Sequence, residues 1–272
     1  MDKAKLYQRS NNLQREDTKL VLDEYSSLLK FNGSDTIMDV GCGSGDVTID
    51  LLLPRIPPSF TKLVGTDISE PMVRYAKDTY EHLPRIVFEH LDITAGVIEN
   101  KKFLSFFDHV TSFFCLHWCQ NQRQAFHNIS RLLKPGGDCL ITLLVQSPIY
   151  EVYERMAQSS KWQKYMMDVD SYISPYQHSE DPIGEINDYL DENGFCENNR
   201  IVEIKERLYI YPDTEILKRA VKSVNPFIKR LMPREQEQFI AEYVQHVTDM
   251  GLRTNEDTYL TRYKLVVIYA TK

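Results

Sequence analysis

The chain has 272 residues, with 32 Lys+Arg against 39 Asp+Glu and a formal charge of −7. That length holds one large domain or one domain with an inserted cap, and a composition 42% hydrophobic and 26% charged excludes disordered and fibrous classes. No run approaches the roughly 18 apolar residues of a membrane span, and an acidic balance without a long basic stripe weighs against a nucleic-acid partner.

The start, Met1-Asp2-Lys3-Ala4-Lys5, is polar and has no apolar signal core behind it. The first helix signal is Asn12 as N-cap, with Glu16 and Asp17 in the first turn, Val21, Tyr25, Leu28 and Leu29 at helical spacing, and Gly33 as the stop. Thr36-Ile37-Met38-Asp39-Val40 reads as a strand running into Gly41-Cys42-Gly43-Ser44-Gly45, and a helix then carries Val47, Ile49, Leu51 and Leu52 until Pro54. Residues 62–67 predict a second strand and 70–80 a second helix, with Pro71 in its first turn. Strands follow over 85–91 and 107–114, a helix over 122–133, a turn at Lys134-Pro135-Gly136-Gly137, and a fifth strand over 139–145. Such alternation predicts a parallel sheet covered on both faces, with ligands beyond the carboxyl ends of its strands.

From Ser147 to Asp181 the alternation stops and large side chains crowd in, among them Tyr150, Tyr153, Trp162 and Tyr172. A helix follows from Asp181-Pro182 to Asn193-Gly194. Strand-like runs at 201–211 and 263–269 bracket two helical stretches, one carrying Ile216, Leu217, Ala220, Val221 and Val224. The expected organisation is a single domain over 1–272: an N-terminal helical segment (1–34), a cofactor-binding core (35–146), and a helical cap (147–181 and 212–252) over the sheet's carboxyl edge.

The five cysteines, Cys42, Cys115, Cys119, Cys139 and Cys196, form no CxxC pair. With no export signal they read as free thiols in a reducing, cytoplasmic compartment. Cys115, His117 and Cys119 suggest a metal corner, but no second ligand pair completes a tetrahedral site, so no metal is expected.

Glycines where a strand becomes a helix allow a sharp turn and close approach of a ligand. A nicotinamide site wants G-x-G-x-x-G; here the third glycine comes one residue early, and Asp39 before the loop suits a ligand bearing a positive amino group. Asp67, ending the second strand, is placed to accept both hydroxyls of a ribose, with Ile68 and Met72 as apolar surface for an adenine ring. Asp92-Ile93 after the third strand repeats the pattern, the acid for the adenine amino group and the neighbour for the ring face.

Asp39-Val40-Gly41-Cys42-Gly43-Ser44-Gly45, Asp67-Ile68-Ser69, Asp92-Ile93 and Leu133-Lys134-Pro135-Gly136-Gly137 resemble the S-adenosylmethionine (SAM)-dependent methyltransferases of the seven-stranded Rossmann-like class. The resemblance covers about 36–145. It implies an α/β fold, a seven-stranded mixed sheet with helices on both faces. It also implies that Asp39 and the loop hold the methionine part of SAM, with Gly41, Cys42, Gly43 and Phe114 completing the cofactor set.

A second resemblance spans nearly the whole chain. Leu6-Tyr7, Ser10-Asn11-Asn12-Leu13-Gln14, Cys115-Leu116-His117-Trp118, Tyr172-Ile173-Ser174-Pro175-Tyr176 and Asn225-Pro226-Phe227 are similar to segments of insect juvenile hormone acid O-methyltransferases. That implies methyl transfer from SAM to the carboxylate of farnesoic acid or a juvenile hormone acid, giving S-adenosylhomocysteine, with Gln14 and His117 as the functional pair and Trp118 beside them. A carboxylate is ionised at neutral pH, so it needs orientation and desolvation rather than a general base, and amide, imidazole and indole N–H groups are neutral donors for it. The Asn-Pro-Pro-Tyr segment of many amino-group methyltransferases is absent; Ser112-Phe113-Phe114-Cys115 stands there.

Most aromatics of the 147–181 segment are expected to pack as core, with Tyr150, Tyr153, Trp162, Tyr172 and Phe227 lining a pocket for a terpenoid or fatty chain. Lys3, Lys5, Arg9, Arg15 and Lys19 are expected to offset the net charge where an anionic acceptor enters. Two other readings stay open: a paralogue acting on another small acid or a phenol, and a non-catalytic SAM-binding relative. Monomer and homodimer are equally compatible with the sequence.

Overall fold

A computed structural model describes residues 4–254 and 258–272. A short helix α1 (Ala4–Gln8) precedes α2 (Asn12–Tyr25), β1 (Thr36–Val40), β2 (Lys62–Asp67), α3 (Glu70–Tyr80), β3 (Ile86–His90), β4 (Phe107–Phe113) and α4 (Gln122–Leu132). Then come β5 (Leu133–Gln146), α5 (Pro148–Ala157), α6 (Pro182–Glu192), β6 (Arg200–Tyr211), α7 (Thr214–Val224), α8 (Pro233–Asp249) and β7 (Tyr259–Thr271). The seven strands form one sheet in the order β3-β2-β1-β4-β5-β7-β6. β1 to β5 run parallel, and β7 lies antiparallel between β5 and β6. The order reverses between β1 and β4, so the crevice beyond their carboxyl ends is where a ligand fits such a sheet.

The strands alternate their side chains between two cores. Ile37, Leu140, Val267 and Tyr269 pack with Leu22 and Tyr25 of α2 and Val73 and Ala76 of α3. Met38, Val110, Ile141, Val266 and Ile268 pack with Phe126 and Ile129 of α4 and Ile186 and Leu190 of α6. A third cluster joins α5, α7 and α8 through Tyr153, Met156, Trp162, Leu217, Phe227, Phe239 and Tyr243.

Three local expectations change. Asn11, not Asn12, holds the cap position of α2, and its side chain makes no capping bond there. The segment expected as an ordinary helix after the glycine loop winds as a π-helix over Thr48–Leu52 and closes with a 3-10 turn at Leu53–Arg55. Pro54 has no N–H to continue a regular ladder at that point. The Lys134–Gly137 turn lies inside β5, where two residues of β4 (Phe107 and His109) face the span from Leu133 to Asp138 and the register shifts.

Candidate active site

The glycine loop is tied to the end of β2. Gly41 N–H and Cys42 N–H both donate to Thr66 O (2.7 and 2.9 Å), and Gly43 N–H donates to Asp67 Oδ2 at 2.9 Å. These amides are taken, so the loop offers no row of free N–H groups for a pyrophosphate. Gly41 adopts φ +74°, and a Cβ there would lie 2.1 Å from Cys115 Sγ; only glycine permits the two loops to meet. Gly43 is different: a Cβ on it would make only an ordinary contact, with Tyr7 Cε1 of α1 at 3.6 Å, so this face of the loop is lightly covered.

Asp67 is held from both sides, its Oδ1 accepting from Ser69 N–H at 2.8 Å, and burial raises its pKa. Asp39, expected to face the ligand, is buried beneath the loop. Its two oxygens accept from the hydroxyls of Thr48 and Thr111, and burial pushes its pKa up to about 6. It braces the loop from below, because β1 is covered on both faces as far as its last residue. Cys42 likewise turns its thiol into the core, and burial raises its pKa.

Where the adenine is expected, Ile68 is 63% exposed and offers apolar surface, but Met72 is fully buried and Ile93 packs in the sheet core. Asn128 Nδ2 bonds Ile93 O and Ala95 O (2.8 Å each), and Asp92 Oδ1 accepts from Thr94 N–H and Oγ1–H at 2.8 and 2.7 Å. The turn thereby presents Asp92 and holds its neighbour's side chain inward.

One residue was not singled out as a site residue from sequence. Asn11 is fully buried; its Nδ2 donates to Asp46 Oδ2 at 3.1 Å, and its Oδ1 has no partner among the described residues. Asp46 also accepts from Ser44 Oγ–H (2.6 Å) and Arg15 (2.5 Å), which fastens α2 to the glycine loop. A buried acceptor without a donor is costly. An orphaned oxygen beside the loop, the lightly covered face of Gly43 and the fixed carboxylate of Asp67 together suit SAM, whose ammonium and ribose hydroxyls are donors.

Beyond β4, Phe114 takes φ +55°, a conformation rare for an aromatic residue and common where function holds strain. Its ring packs with Leu13, Leu144, Tyr209, Tyr263 and Leu265 rather than lying open. The next turn carries His117, 2% exposed, whose Nδ1 accepts from Leu144 N–H at 3.3 Å. Burial drops its pKa to about 3, so the ring is neutral; with Nδ1 accepting, the proton sits on Nε2. Trp118 lies 5.0 Å from the His117 ring, between centroids, and 6.4 Å from Tyr150.

A cleft of ≈ 200 Å³ opens at the same edge of the sheet, with Gln14 and Leu144 in its wall. Its sides come from Ile149 of α5, Tyr209 and Tyr211 of β6, Leu217 and Val221 of α7, and Tyr243 of α8. The pocket residues expected from sequence lie elsewhere: Tyr150, Tyr153, Trp162 and Phe227 are buried in the cap cluster with Tyr172 against it, and none lines the cleft. The aromatic segment fills the cap's own core, while β6 supplies the wall by alternation, Tyr209 and Tyr211 facing the cleft and Leu208 and Ile210 exposed. Among the described residues no group of His, Cys, Asp and Glu could hold a metal ion, and no helix is long and apolar enough to cross a membrane.

A family model described as a methyltransferase domain matches residues 38–139. The juvenile hormone acid O-methyltransferase of Drosophila melanogaster is 43% identical over 279 residues, covering 100% of this chain and 93% of that protein. That of Bombyx mori is 37% identical over 281 residues, covering 100% and 98%. Among solved structures, the YcgJ protein of Bacillus subtilis shares the fold with a TM-score of 0.62 at 14% identity, over 93% of this chain and 98% of that one.

Proposed function

This chain belongs to the juvenile hormone acid O-methyltransferase family, and from that premise we propose that it esterifies the carboxylate of a sesquiterpenoid acid, farnesoic acid or a juvenile hormone acid. It is a SAM-dependent methyltransferase. When bound, SAM supplies a methyl group on a positively charged sulfur. Asp67, fixed by Gly43 and Ser69, would accept from the ribose hydroxyls; Asn11 Oδ1 would accept a hydrogen bond from the ammonium, and Asp92 with Ile68 would flank the adenine.

The acceptor's carboxylate is ionised at neutral pH and needs no base. Gln14, His117 Nε2–H and Trp118 orient it as neutral donors, which hold an anion without cancelling the charge that makes it nucleophilic. The apolar cleft walls strip water from the carboxylate and hold the chain behind it. The observation that carries this reading is His117 itself, buried, neutral and tied through Nδ1 to Leu144 of the cleft wall. It also favours an acid over a phenol, because a phenol must lose a proton and His117 has its basic nitrogen already engaged.

We further propose that the reaction needs no metal, since the acceptor is already anionic, and that the enzyme works in the cytoplasm, where its five free thiols stay reduced. The test is a competition panel with labelled SAM: farnesoic, palmitic and benzoic acids and a simple phenol in one mixture. Label in methyl farnesoate supports the reading. Label only in the phenol ether or the benzoate ester would move the chain to a different acceptor class, and no label with SAM still bound would favour a non-catalytic relative.

A further inference from the structure

The charge of the cleft runs against the charge of the chain. The whole protein carries 39 acidic and 32 basic residues, yet among the described residues the cleft wall holds two arginines, Arg9 and Arg219, and no Asp or Glu. Arg9 follows α1 and Arg219 lies on α7; these two helices pack against each other, and both arginines line the one cleft. Both residues are exposed, and neither has an ion-pair or hydrogen-bond partner among the described residues.

Their neighbours are committed elsewhere. Lys218 pairs with Glu215 and Lys222 with Glu237, each at 2.8 Å; Arg15 pairs with Asp46 and Asp50, and Lys19 with Asp23. Of the entrance cations expected from sequence, Arg9 alone lines the cleft, and Lys3 lies outside the described residues. Two uncompensated positive charges above low-dielectric walls focus a positive potential into the opening.

We propose that Arg9 and Arg219 form a cationic rim that draws the acid acceptor into the cleft and distinguishes it from the ester product, an inference that rests on the acceptor reading above. Both are positioning residues: they are exposed at the mouth, whereas the donors that orient the reacting carboxylate are neutral. Esterification removes the acceptor's negative charge, so the rim attracts what enters and has no hold on what leaves.

The test titrates protein loaded with S-adenosylhomocysteine, by calorimetry, with farnesoic acid and with its methyl ester, comparing wild type with the double variant R9Q/R219Q. At about 0.01 M salt, where the Debye length is about 30 Å, the double variant should lose roughly three- to tenfold in acid affinity and none in ester affinity. At about 1 M salt, where that length is about 3 Å, the two proteins should bind the acid alike. In turnover the same loss should fall on kcat/KM with kcat unchanged, and R9K/R219K should restore it. Acid affinity untouched by R9Q/R219Q, or ester affinity weakened as much as acid affinity, overturns the rim while leaving the acceptor assignment standing. Wild-type protein that binds neither ligand overturns the acceptor assignment and the rim with it.

Discussion

Two glycines two residues apart should fail in different ways when changed to alanine. At Gly41 a Cβ would sit 2.1 Å from Cys115 Sγ and 2.3 Å from Cys115 Cβ, and the residue already holds φ +74°. The left-handed backbone costs an alanine about 1–2 kcal/mol, and forcing Cys115 aside adds about 1–3 kcal/mol. The sum of about 2–5 kcal/mol should lower Tm by roughly 5–15 °C in a chain of this size. Cys115 starts the turn that carries His117, so kcat should fall as well. At Gly43, φ is +56° and the nearest atom to a Cβ is Tyr7 Cε1 at 3.6 Å, so only the backbone strain of about 1–2 kcal/mol applies. The added methyl would stand between the loop and Tyr7, where the cofactor is proposed to lie, and SAM affinity should drop at least about tenfold, equivalent to about 1.4 kcal/mol. Thermal melts without ligand and calorimetry with SAM separate the two effects. A Gly43→Ala protein that binds SAM as wild type does would refute the placement of the cofactor over that glycine.

Three further outcomes follow from buried polar groups. Turnover should stay flat from about pH 6 to 9, because the acid is ionised throughout and burial holds His117 neutral with a pKa of about 3; a pH–rate step with a midpoint near 6.5 would show that His117 titrates in the working enzyme. Tyr153→Phe removes a buried hydroxyl that has no hydrogen-bond partner among the described residues, so stability should hold or rise by up to about 1 kcal/mol, and a clear loss in urea melts would reveal an interaction there. His109 sits between Asp138 (2.6 Å) and Asp35 (3.4 Å) at the opposite end of the sheet. Burial disfavours its charge, but the hydrogen bond and charge of Asp138, with Asp35 adding, outweigh it and raise the pKa above the usual 6.5. Its stabilisation is therefore complete below pH 6.5 and lost as pH rises through the raised value. The urea midpoint of wild type should decline across that window, and His109→Gln should flatten the decline.

The cofactor half was legible because its physics is local. β1, β2 and α3 have the bounds expected, since strands buried on both faces read as unbroken apolar runs and Pro71 marks the start of α3. What the sequence did not disclose was orientation at the strand ends. Asp39 and Asp67 look alike as acids ending a strand, yet one lies under the loop and the other ties its edge, a difference made by the hydroxyls of Thr48 and Thr111 arriving from elsewhere in the chain. Met72 and Ile93 sit at the right places along the chain but turn inward. The cleft was harder still. Its wall depends on β7 entering antiparallel between β5 and β6, a long-range pairing that brings Tyr209 and Tyr211 beside Gln14. The Tyr- and Met-rich segment carried the stronger local signal but had a core of its own to fill. Of the helical residues noted in the cap, Ile216, Leu217, Ala220, Val221 and Val224 do line the cleft. Asn11 is recognisable only once folding has buried it with its oxygen unpaired among the described residues.

The most direct test of the account is the product formed from farnesoic acid and from farnesol, the same carbon chain ending in an acid or an alcohol, with SAM and purified protein, identified by mass spectrometry. Methyl farnesoate from the acid and no ether from the alcohol is the result the neutral-donor site predicts, since nothing in that site takes a proton from an alcohol. Methylation of farnesol at a comparable rate, or of neither compound while SAM is bound, would contradict it.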